Sequence, residues 1–113
     1  MRYVFVGDVH GRVEQVEQAL SEDGMKVFVG DYMDSWDRPP ADHRRCLELV
    51  LDAVERGEAK ALYGNHELSY IQPGHRCSGY NPKHYDIMRE NGPRIERLLV
   101  PHLMIGPRTL ITH

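Results

Sequence analysis

Two apolar runs of nearly the same spelling, VFVGDVHG at 4–11 and VFVGDYMD at 27–34, set the rhythm of the first part of the chain. Tyr3 to Val6 is too brief for a helix and predicts a buried strand ended by Gly7. From Arg12 to Glu22 the apolar positions Val13, Val16, Ala19 and Leu20 recur at helical spacing, with Glu and Gln between them and Gly24 as the stop. Met25 to Val29 predicts a second strand. Pro39 and Pro40 interrupt the chain, and Leu47, Val50, Leu51 and Val54 then form the apolar stripe of a second helix that ends before Gly57. Ala59 to Tyr63 is a third short apolar run, again closed by Gly.

The β-α-β-α-β order predicts parallel strands joined by right-handed crossovers, an α/β fold. Ligands of open parallel sheets gather beyond the carboxyl ends of the strands. Here those ends read Gly7-Asp8, Gly30-Asp31 and Gly64-Asn65. Each glycine is expected to let the backbone turn sharply and approach a ligand closely. Beyond Asn65 the punctuation is denser. Pro73-Gly74, Cys77 to Tyr80 and Asn81-Pro82 mark a loop, and 82–90 and 93–99 predict short helices with Pro in or near the first turn. Pro101 to Ile105 and Thr109 to Thr112 predict a hairpin around Gly106-Pro107, with His113 following the second strand.

Composition narrows the function classes without choosing one. The chain has 113 residues, enough for one domain, 1–113. A formal net charge of −3 gives no electrostatic footprint for nucleic acid. No apolar stretch approaches the ~20 residues of a membrane span, and Arg2 onward does not read as a targeting segment. Cys46 and Cys77 are isolated and expected to be reduced thiols, so the expectation is a soluble, cytoplasmic protein.

Two carboxylates aimed at one place repel unless a cation lies between them. Asp8 and His10, one residue apart on a turn, can offer an oxygen and an imidazole to the same side. Asp31 brings a second carboxylate from the neighbouring strand end, Asn65 an amide oxygen and His113 a further imidazole. Such a mixed N and O set without thiolate suits Mn, Fe or Zn. Taken singly, each motif has a plainer reading: Gly-Asp after a strand is common, and Asn-His-Glu also spells a helix N-terminus with Asn65 as cap and Glu67 in the first turn. Their joint occurrence, in order and each at a strand end, favours a metal site.

In that order, GDVHG (7–11), GDYMD (30–34) and GNHE (64–67) resemble the successive signature motifs of the calcineurin-like metallophosphoesterases, and LITH (110–113) resembles the start of the next. The GNHE and GDYMD spellings lean toward the phosphoprotein phosphatase branch, with its bacterial and phage members. The resemblance implies two divalent metal ions, Mn²⁺ first, with Fe or Zn as alternatives. It gives Asp8, His10 and Asp31 to one metal and a bridging Asp31, Asn65 and His113 to the other, with Asn65 also facing substrate. It makes His66 the proton donor to the leaving oxygen and Asp34 the acid that orients it. Implied partners are phosphorylated substrates, protein or small phosphoester, hydrolysed by a metal-activated water.

Two departures from the family pattern qualify this. The phosphatase branch continues its second motif with Arg-Gly, whereas this chain has Ser35, Trp36, Asp37 and Arg38. Arg38 is then either the replacement phosphate ligand or a solvated loop arginine, and Arg76–Tyr80 either a substrate-side cap or a plain loop. The later histidines and the second sheet of the family do not follow His113, so the expectation is the N-terminal part of a metallophosphoesterase sandwich, with one sheet face open. Phosphomonoester hydrolysis is the leading expectation. Hydrolysis of nucleotide phosphoanhydrides or phosphodiesters, and an inactive binding module, are the alternatives.

Overall fold

In the computed structural model, which describes residues 2–71 and 81–113, three strands run side by side as the apolar pattern requires. They are β1 (Tyr3–Val6), β2 (Met25–Phe28) and β3 (Ala59–Leu62). All pair in parallel, with Phe5 opposite Val27 and Phe28 opposite Ala61. Helix α1 (Val13–Leu20) makes the first crossover and α2 (Pro40–Glu55) the second. Pro40 begins α2 rather than merely breaking the chain, because the first helical position needs no N–H and proline's φ is already helical.

Helices α3 (Asn65–Ile71), α4 (Pro82–Glu90) and α5 (Gly92–Leu98) follow. A fourth parallel strand, β4 (Leu99–Val100), then joins β3 at the sheet edge, so the order is β1-β2-β3-β4. Two residues carry no period, which is why Leu99 reads in the sequence as the end of a helix. Strands β5 (His102–Ile105) and β6 (Thr109–Thr112) form the expected hairpin, with Leu103 opposite Ile111.

The core lies between the sheet and α1 and α2. Val6, Phe28 and Ala61 from the strands meet Val16, Ala19, Leu47, Val50 and Leu51 from the helices. Full burial of each large side chain contributes about 1.5–3 kcal/mol. Helix α2 is the hub, packing on α1, β3, α4 and α5. The other sheet face is more open: Phe5 is 53% exposed and Lys60 exposed, with Val27 and Leu62 buried between them. Cys46 is a free thiol inside α2, and burial pushes its pKa up to about 12, so it has no thiolate to offer. Cys77 and the Arg76–Tyr80 segment lie outside the described residues. Among the described residues no helix is long and apolar enough to cross a membrane.

Candidate metal centre

The carboxyl ends of β1, β2 and β3 meet because two glycines let two backbones touch. Gly30 has φ of +106°, and a Cβ there would stand 2.5 Å from the Gly64 nitrogen. A Cβ on Gly64 would in turn fall on the Asp31 carboxylate and lie 2.7 Å from the Asp31 nitrogen. No larger residue fits either place. Gly7 is different: no protein atom lies within 4 Å of its would-be side chain and its φ is not in the left-handed region.

Three residues other than glycine take positive φ among the described residues: His10 (44°), Asp31 (58°) and Asp34 (69°). This conformation is costly for most side chains, and short polar residues bear it best. All three are residues the motifs single out for chemistry, and strain collected in this way is characteristic of functional sites.

A residue that sequence reasoning left in a helix first turn holds this backbone in place. Glu67 is fully buried. Its Oε1 accepts N–H bonds from Asp31 (2.6 Å) and Gly64 (2.9 Å), and its Oε2 from Tyr32 (2.8 Å) and Met33 (3.2 Å). Burial pushes its pKa up to about 7 against the pull of the backbone N–H groups. The Asn-His-Glu segment therefore satisfies both readings: it opens α3 and it builds the site. One partner, the Gly64 N–H, is local; the other three lie 34 to 36 positions away, beyond any local pattern.

Around this frame the ligand candidates converge. His10 Nε2 lies 3.9 Å from an oxygen of Asp8 and 3.9 Å from one of Asp31. His113 Nε2 lies 3.0 Å from Asp31 Oδ2 and 2.8 Å from Asn65 Oδ1. Two groups of possible ligand atoms lie within 4.8 Å of one another: Asp8, Asp31 and His113, and His10, Asp31 and His66. Asp31 belongs to both.

The imidazole protons are already committed. His10 Nδ1 donates to the Met33 carbonyl and His113 Nδ1 to the Val29 carbonyl, each at 2.7 Å. In the neutral imidazole each ring then presents the lone pair of Nε2 to the cleft, the arrangement metal-ligating histidines use. Asn65 Oδ1, His113 Nε2 and the Asp31 carboxylate then face one another as three acceptors. Turning the Asn65 amide lets its nitrogen donate to Asp31 Oδ2 (3.1 Å) and His113 Nε2 (2.8 Å), which closes the site on itself. The oxygen-inward orientation is the one a divalent cation selects, and the donor set fits hard or borderline cations.

His66 stands beside this cluster, its ring edge-to-face with His10 at 4.9 Å between centroids. Its backbone N–H donates to Asp31 Oδ1 (3.0 Å) and its Nδ1 lies 3.1 Å from Asp34 Oδ2, leaving Nε2 for the cleft. The cleft, about 370 Å³, is lined by His10, Arg12, Asp34, Ser35, Trp36, Asp37 and His66. Trp36 is 81% exposed at its rim.

Arg38 is not among the lining residues. Its guanidinium reaches back to α1, where Nη1 donates to Glu14 Oε2 at 3.1 Å. Among the described residues, the arginine that lines the cleft is Arg12, one position beyond the GDVHG run and unmarked by it. The Ser35 hydroxyl lies 3.0 Å from His43 Nε2.

Comparison with known proteins found no match among curated proteins and none among solved structures. A family model described as calcineurin-like phosphoesterase matches residues 1–109. That match spans the parallel sheet, the three strand ends and the GDVHG, GDYMD and GNHE motifs, and stops short of LITH (110–113). The chain belongs to the calcineurin-like phosphoesterase family.

Proposed function

We propose that this calcineurin-like phosphoesterase hydrolyses phosphomonoesters, in the manner of a serine/threonine phosphatase, with two divalent cations shared by Asp8, His10, Asp31, Asn65 and His113. The observation that carries it is the pair of ligand groups, Asp8, Asp31 and His113 beside His10, Asp31 and His66, that share the buried Asp31, with the Nδ1 atoms of His10 and His113 on backbone carbonyls. When bound, the cations supply Lewis acidity toward the phosphoryl oxygens and acidify an attacking water. Mn²⁺ suits the mixed N and O donors; Fe and Zn suit them next.

The chain's own residues do the rest. Asp31 is buried, so its charge stays between the two clusters rather than in solvent. His66, with Nδ1 held by Asp34, protonates the leaving oxygen through Nε2. Arg12 grips the phosphate from within the cleft. Arg38 joins it only by leaving Glu14, a solvent-screened pair that holds it weakly. The GDYMD and GNHE spellings support the phosphoprotein phosphatase branch, and the reduced, buried Cys46 fits a cytoplasmic setting.

The test is metal and substrate together. Hydrolysis of p-nitrophenyl phosphate should vanish with chelator and return with Mn²⁺, and should exceed that of bis(p-nitrophenyl) phosphate and of nucleoside triphosphates. Faster cleavage of either competitor would reassign the substrate class. Asp31→Asn should weaken Mn²⁺ binding at both sites in calorimetry, by more than the 10–100-fold typical of changes one shell out from the ligands. Unchanged Mn²⁺ binding in that variant would remove Asp31 from the bridging position.

A further inference from the structure

We propose that Tyr70 and His84 are positioning residues of the phosphoesterase reaction, holding Asp34 so that it aims and tautomerises His66. The inference rests on the reading of His66 as proton donor, and it extends that pair into a buried relay whose two further members lie outside the GDVHG, GDYMD, GNHE and LITH runs.

The Asp34 side chain is completely buried, so all of its hydrogen bonds must come from the protein. Oδ2 lies toward His66 Nδ1. Oδ1 faces away from the cleft and takes two donors: His84 Nδ1 at 2.8 Å and the Tyr70 hydroxyl. The Asp34 carboxylate can only accept, so the Tyr70 hydroxyl gives it its proton, while Tyr70 Oη accepts the Asn81 backbone N–H at 3.1 Å. His66 and Tyr70 stand four apart on α3, hence on one face, and reach the two oxygens of the same carboxylate. His84 arrives from α4.

His84 is the informative member. It is 2% exposed, and its Nε2 has no hydrogen-bond partner among the described residues. Its ring packs on His43 with centroids 4.1 Å apart. His43 cannot supply the missing bond, because its Nδ1 donates to the Pro39 carbonyl (2.9 Å) and its Nε2 accepts the Ser35 N–H (3.0 Å). A buried polar atom left unpaired costs stability that Leu or Phe at the same position would avoid. Among the described residues its ring makes its short bond to Asp34, at 2.8 Å, with the Tyr70 hydroxyl 3.4 Å from the same nitrogen. Its place in the core therefore makes sense through that carboxylate. With Oδ1 saturated, Oδ2 is the acceptor left for His66, which keeps one proton on Nδ1, so that the proton the imidazolium gives up is the one on Nε2, aimed at the leaving group.

The experiment compares Tyr70→Phe, His84→Leu and His84→Asn with Asp34→Asn, in the Mn²⁺-loaded protein, on an alkyl phosphate and on p-nitrophenyl phosphate. Asn can place its amide where Nδ1 stands, so it is the rescue variant. Tyr70→Phe and His84→Leu should lower kcat on the alkyl phosphate by about 10–10²-fold with KM and metal content unchanged, should spare the nitrophenyl ester, and His84→Asn should restore most of the loss. Equal losses on both substrates, or no loss, while Asp34→Asn shows the leaving-group dependence, would overturn the relay alone. If Asp34→Asn itself lacks that dependence, the proton-donor reading fails and the relay fails with it. Imidazole ¹⁵N spectra of the unsubstituted chain give a check free of folding effects: His84 should appear as the Nδ1–H tautomer, and an Nε2–H tautomer overturns the proposal.

Discussion

Glu67→Ala should melt more than about 15 °C below the unsubstituted protein, or fail to fold. Four backbone N–H groups converge on that carboxylate, from Asp31, Tyr32, Met33 and Gly64. Each buried donor left without an acceptor costs about 1–3 kcal/mol. Even a partly relaxed site would lose roughly 4 kcal/mol, a large part of the 5–15 kcal/mol that holds a domain of this kind together. In a chain of this size each kcal/mol shifts the midpoint by about 4–8 °C. Glu67→Gln should be nearly as damaging, because its amide nitrogen would confront two of the same N–H groups. The measurement is a thermal melt followed by circular dichroism with metal removed. A midpoint within a few degrees of the parent would mean that the loop carrying Asp31 holds its shape by other means.

His66→Asn is expected to reduce turnover of an alkyl phosphate by about 10²–10⁴-fold, the usual size of general acid catalysis. Metal content should not change. The deficit should shrink on p-nitrophenyl phosphate, whose leaving phenolate scarcely needs a proton. The geometry makes this a real contest, since His66 lies within reach of His10 and Asp31 as a possible third ligand, and a ligand histidine is also commonly held by a carboxylate on its other nitrogen. Loss of metal along with activity, or equal losses on both esters, would place His66 in the ligand shell.

What the sequence made legible was periodic or contiguous. The strands 3–6, 25–28 and 59–62, the helical stripe through Leu47 and Val54 and the hairpin about Gly106 each rest on a local pattern, and each is present. So are the strand-end motifs, whose residues the fold gathers at one edge. The parts that escaped depend on pairs far apart in the chain. Glu67 reaches the 31–33 backbone, Arg38 reaches Glu14, and His84 reaches Asp34 across 50 positions. Nothing in the neighbourhood of His84 distinguishes it from a surface histidine of α4; only its burial against α2 and α3 does. Gly7 shows the converse: its spelling matches Gly30, but no protein atom near it requires glycine.

The left-handed backbone at positions 10, 31 and 34 also bears on how this domain can drift during evolution. Valine, isoleucine and threonine are barred there by their branched Cβ, whatever the catalytic demand, while Asn, Asp, His and Gly remain open. Folding alone would therefore keep short polar residues at these three places in a descendant that no longer turned over substrate. Asp8 is under no such restriction: its φ is ordinary and its side chain is more than half exposed. Its replacement by an apolar residue would leave the fold untouched, so among relatives position 8 is where the decay of catalysis should first be written.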